Sequence, residues 1–130
     1  MLLFGHRFIQ NENFYHILDI SAIAKTPPNT TLFVAFDENN LDIINYMQEN
    51  TLRYATSVTT LTELIYASQL QATYIVVDKE LAKSAQNIAE HYLFDAKILV
   101  RADDESAIEE FALLGIDGVL FSNAIIKINS

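Results

Sequence analysis

Short apolar runs rich in β-branched residues alternate along the chain with longer stretches whose apolar residues recur every three or four positions. The runs 31–36 (TLFVAF), 53–58 (RYATSV), 73–77 (TYIVV), 97–101 (KILVR) and 118–121 (GVLF) read as strands. Between them, 40–49, 61–69, 79–93 and 105–114 carry helical periodicity. Strands separated by helices specify a parallel sheet, because a parallel pair needs a crossover long enough to hold a helix. The handovers carry caps: Asp37, Asp78 and Asp103 or Asp104 sit where a strand meets a helix, and Thr60-Leu-Thr-Glu63 fits a capping box. Gly115 falls at the C′ position of the last helix, and Pro27-Pro28 marks a turn before TLFVAF.

The first segment, MLLFGHRFIQNENFYHILDISAIAK, is less regular. It reads as a strand over 2–4, a turn at Gly5 and a helix over 14–25 with Phe14, Ile17, Leu18 and Ile23 as its apolar stripe. It also reads as a hairpin of HRFIQ and FYHI joined by Asn-Glu-Asn. The βα alternation downstream favours strand then helix. The expected architecture is a single α/β domain over residues 1–130, Rossmann-like and doubly wound, with a mostly parallel sheet of about six strands and helices on both faces.

Composition narrows the chemistry. A formal charge of −9, with 8 Lys and Arg scattered along the chain, argues against a nucleic-acid groove. No apolar run approaches a membrane span, so direct membrane insertion is not expected, and Met1-Leu-Leu-Phe is too short for a signal-peptide core; the cytoplasm is the expected compartment. The chain has no cysteine, and His6, His16 and His91 lack close metal-ligand spacing, so no zinc site is expected.

The words VAFDENN, YATSVTTLTEL, ASQLQATYIVV, DKELAKSAQNIAEHY and ILVRADDESAIEEFALLGIDGVLFS follow one another in the order of an RCK domain. From Thr30 to Ser122 the chain resembles this regulator of potassium conductance, also known as the TrkA-N or KTN domain, most specifically in RADDESAIEEFALLGIDGVLFS. The resemblance implies a non-catalytic, ligand-sensing cytoplasmic domain that serves a membrane potassium channel or transporter and pairs as a homodimer. It implies the strand order 3-2-1-4-5-6, with ligand at the carboxyl edge between the first and fourth strands.

By the same resemblance, Gly5 with His6 and Arg7 occupies the phosphate turn, and Asp37 the ribose position. Thr56 and Ser57 align with the family's Gly-Asp after the third strand, and Asp78 and Arg101 close later strands on the ligand-binding edge. The turn GHRFIQ departs from Gly-x-Gly-x-x-Gly, placing Arg7 and Gln10 where backbone must approach a pyrophosphate. Orthodox NAD binding is therefore not expected; the ligand stays open, with an adenine nucleotide held through His6 and Arg7 as one candidate. With the later glycines of the fingerprint missing, Asp37 suits a helix cap better than a ribose contact. Arg101 suits an anion clamp or an ion pair with Asp78 or Asp103. Asp78, Asp103, Asp104 and Glu105 suit a divalent-cation site, as in calcium-gated relatives, or simply acidic helix starts.

Two other readings stand beside this one. A Rossmann-shaped protein-interaction module needs no nucleotide. A phosphodiesterase-like (β/α)-barrel fragment is suggested by GIDGVLFSNAI and by the proximity of His6-Arg7 to Glu12-Asn13. Against the barrel stands length, since eight βα units require about 200 residues or more.

Overall fold

The structure is a computed structural model that describes residues 1–128. It is α/β, as the pattern requires, and all eight strands are parallel. These are β1 (Leu2–Phe4), β2 (Phe14–His16), β3 (Thr31–Ala35), β4 (Tyr54–Ser57), β5 (Tyr74–Val77), β6 (Lys97–Ala102), β7 (Gly118–Phe121) and β8 (Ile125–Lys127). The α-helices are α1 (Leu41–Glu49), α2 (Leu61–Gln69), α3 (Lys79–His91) and α4 (Ser106–Leu113). From β3 to β7 every expected strand and helix is present, and the fold is Rossmann-like in this alternation. No helix among the described residues is long and apolar enough to cross a membrane.

The winding differs from the expected order. Sheet order is β1-β7-β6-β5-β4-β3-β2-β8, so β2 to β7 are laid down one after another without a reversal. The two strands beyond the six expected are β2 and β8. Phe14–His16 is a strand and not the start of a helix, and only the 3₁₀ turn Ile20–Lys25 follows, capped by Asp19. Nor is there a hairpin, since β2 runs parallel to β3 and β8.

Strand alternation divides the core in two. Outward residues such as Val34, Tyr54, Ile75, Ile98 and Val119 pack with Ile44, Met47, Leu64, Ala85 and Phe111 of the helices. Inward residues Phe4, Phe14, Phe33, Ala55, Tyr74, Val76, Leu99 and Leu120 form a second cluster to which α1–α4 contribute nothing. The helices therefore cover one face of the sheet, and the other face closes on itself. The rings show how tightly: Phe4 of β1 lies 4.9 Å from Phe14 of β2, and Tyr74 of β5 lies 5.3 Å and 5.2 Å from them. Strands far apart in the sheet order thus meet across the interior. Gly5 fits the seam, with φ +83° and no room for a Cβ, which would sit 3.0 Å from the Ala124 amide nitrogen.

Each α-helix ends in the same way. Thr51, Gln71, Leu93 and Gly115 take φ of 56°, 66°, 55° and 76°, and the next residue donates its N–H back to Met47, Ala67, Ala89 or Phe111. This left-handed terminus turns the chain straight into the following strand.

The opposite, amino end of the curled sheet is sealed. Glu12 accepts from Thr31 Oγ1 at 2.7 Å and from Arg53 Nη2 at 3.1 Å, and Tyr74 Oη lies 3.4 Å from the same carboxylate. Burial, and then the Glu12 charge, raise the Tyr74 phenol above its ordinary value.

Candidate functional site

Parallel strands that curl with helices outside gather the loops after their carboxyl ends around one mouth, where ligands bind in sheets of this kind. The residues singled out from the sequence divide into three groups there.

On the rim stand Gly5, His6 and Arg7, beside a pocket of about 340 Å³ shared with Asp103, Glu105 and Ser122. The two basic side chains converge on one carboxylate. Arg7 Nε donates to Glu105 Oε1 at 2.8 Å, and His6 Nε2 lies 3.3 Å from the same oxygen. His6 Nδ1 accepts from the Phe8 amide at 3.1 Å, which places the neutral ring's proton on Nε2, facing Glu105. The Arg7 hydrogen bond holds Glu105 below the usual carboxylate range and keeps Arg7 firmly charged. An incoming phosphate must therefore compete with Glu105 for this charge.

Asp37 and Thr56 have structural partners or surroundings. Asp37 accepts from the Asn39 amide at 2.8 Å, the capping arrangement. Thr56 faces outward beneath the helices, fully buried, and its Oγ1 has no hydrogen-bond partner. Its neighbour Ser57 faces inward. The acidic handover residues also act singly: Asp103 accepts from Ser122 Oγ at 2.6 Å, and Asp104 accepts from the Ser106 amide at 2.9 Å. Among the described residues no three His, Asp or Glu side chains are grouped to hold a metal ion.

The third group lies on the inner face at the mouth. Ser57, Asp78 and Arg101 follow the inward Ala55, Val76 and Leu99 by two residues, so alternation turns them inward too. Exposed Ala35 stands in the same position on β3, above Phe33. Asp78 makes no side-chain cap to α3, although it occupies the N-cap position. Arg101 forms no ion pair among the described residues, so the expected pairing with Asp78 or Asp103 is not made.

The structure adds two residues that sequence reasoning missed, His16 and Lys127. They are partners in register on β2 and β8, two residues beyond the inward Phe14 and Ile125. His16 is half-buried, with its ring edge-on to Phe33 at 5.2 Å. Burial lowers its basicity most, and Lys127 and Arg101 lower it further by repulsion, so all three share one electrostatic neighbourhood. Neither strand was expected, and without them the direction of these side chains had no sequence signal.

The arrangement does not reproduce a dinucleotide site. A pyrophosphate cradle needs a helix N-terminus directly after the first strand. Here residues 5–13 turn and run back to β2 without a helix. Since β2 to β7 follow one another in the sheet without a reversal, the expected crevice between the first and fourth strands is not formed either. The phosphodiesterase pairing is also divided, with His6 and Arg7 at the carboxyl end and Glu12 in the seal at the amino end. No protein-family model matches the chain, and no curated protein matches it in sequence.

Proposed function

We propose that this chain is a non-catalytic regulatory domain that senses a small ligand at the carboxyl mouth of its curled sheet. The observation that carries the reading is the contrast within the interior. Its amino end is filled with aromatic rings and closed by Glu12, while its carboxyl end presents Ala35, Ser57, Asp78 and Arg101 on the inner face without a seal. The one hydroxyl and one imidazole near each other on the rim, Ser122 and His6, are engaged by different carboxylates, which suits binding better than nucleophilic chemistry. Service to a membrane potassium channel or transporter rests on the RCK resemblance alone.

Thermal melting with phosphate, ATP, ADP, AMP and NAD at about millimolar concentration tests the proposal, since a ligand at 100 times its Kd stabilises by about 2.7 kcal/mol. Phosphate or one of the mononucleotides is expected to raise the Tm, and NAD to raise it least. No shift with any of them overturns ligand sensing by this class.

A second reading, a protein-interaction module acting as a homodimer, is favoured by the exposed Leu93, Leu113 and Tyr92, which are 84%, 82% and 67% accessible at helix ends. Leu93 and Tyr92 border an open groove of about 960 Å³ between α2 and α3. Sedimentation at tens of micromolar should show a dimer that Leu93→Glu dissociates; a monomer throughout rejects this reading.

A further inference from the structure

We infer that His16, Arg101 and Lys127 form a cationic tripod that binds a phosphate group, free or esterified, over the mouth of the curled sheet. The inference rests on the ligand-sensing reading above and assigns its site. Three observations carry it. Register places His16 and Lys127 side by side, and alternation turns both, with Arg101, to the inner face. Arg101 and Lys127 have no ion-pair or hydrogen-bond partner among the described residues, although the chain carries 17 Asp and Glu against 8 Lys and Arg. In so acidic a protein, the gathering of two unpaired cations around an imidazole repels itself and calls for an anion.

The site offers complementary chemistry. Arg101 presents a planar fork suited to two phosphate oxygens, Lys127 a point charge, and His16 a ring N–H. Ala35 and Ser57 on the same inner face are small residues. Asp78 shares this face, and a phosphate must lie toward β2, β6 and β8 to avoid it. The tripod differs from the rim group, where Glu105 already engages both His6 and Arg7.

Calorimetry and amide NMR on the full chain test the assignment, with inorganic phosphate, ATP and chloride as titrants. Phosphate should shift the amides of His16, Ala35, Arg101 and Lys127 saturably, and chloride should not. Lys127→Gln and Arg101→Gln should each weaken binding roughly tenfold, with partial rescue by Arg101→Lys. Asp78→Asn should tighten it, and Lys83→Gln on α3 should leave it unchanged. Tighter binding of ATP than of phosphate identifies an ester as the source, and the reverse identifies the free ion.

Saturable binding that Arg7→Gln weakens while Lys127→Gln and Arg101→Gln do not would move the site to the rim, overturning the tripod and sparing the sensing reading. No carboxyl-end response to either phosphate or ATP up to about 10 mM would overturn both.

Discussion

The two ends of the curled sheet are built from the same strands and differ in almost every physical respect. At the amino end a carboxylate, a hydroxyl, a guanidinium and a phenol satisfy one another beneath packed aromatic rings. At the carboxyl end the inward side chains are small or charged, and Arg101 and Lys127 have no ion-pair partner among the described residues. The difference teaches where stability and binding reside. On β2, β4, β6 and β8 an apolar inward residue is followed two positions later by a polar one, so substitutions two residues apart on one of these strands should have opposite consequences.

That contrast can be broken most directly on β2. Phe14→Ala removes a fully buried ring stacked on Tyr74 and should destabilise the protein by about 3–5 kcal/mol, read from the midpoint of urea unfolding. An effect below 1 kcal/mol would mean that the interior is not packed as described. Glu12→Ala should cost about 1–2 kcal/mol, because it strands Thr31 and Tyr74 while half-exposed Arg53 recovers water. In the opposite direction, Leu93→Gly should stabilise by about 1 kcal/mol, because φ of 55° strains a leucine and its side chain is almost wholly exposed.

The smallest effects belong to the mouth. Arg101→Gln and Lys127→Gln should leave unliganded stability within about 0.5 kcal/mol. Their signature is in the titration of His16. Its folded pKa lies below the ordinary 6.5, chiefly through burial, so the unfolded chain binds this proton more tightly. Stability linked to His16 is therefore complete above 6.5 and declines as pH falls through that value towards the lowered folded one. Removing either cation should raise the His16 pKa in NMR titration and shrink the decline. An unchanged His16 would separate the three side chains.

Much of the fold was legible. From residue 31 to 121 the strands, helices and left-handed turn at Gly115 lie within a residue or two of where periodicity puts them. The capping box at Thr60 is present with one change: Thr60 Oγ1 accepts from the Glu63 amide, but Glu63 reaches back to the Thr59 amide.

Closure was not legible, for a physical reason. Runs such as TYIVV are apolar on both faces, which demands cover on both sides but does not say whether a second helix layer or the sheet itself supplies it. Eight strands need about 200 residues only when every strand carries its own helix. Among the described residues four α-helices serve eight strands, since β1 to β2, β2 to β3 and β7 to β8 are joined by turns or 3₁₀ segments. β2 and β8 are three residues each, too short for a local pattern, and their place is decided by contacts made across the whole chain. The mouth was half legible for the same cause, with Ser57, Asp78 and Arg101 recognised while His16 and Lys127 went unrecognised.

The pairing of the chain ends bears on how the protein folds. Neighbouring strands from β3 to β7 are joined by single short crossovers, and such local contacts form quickly. By contrast, β1 must find β7, joining Leu2 to Gly118, and β8 must find β2, joining Lys127 to His16. These pairings enclose nearly the whole chain and carry its largest loop-closure entropy. Two legs of the tripod are thus created by the slowest class of contact in the molecule. A ligand bridging them would retard reopening more than it accelerates folding, because its site is absent until β8 has paired with β2.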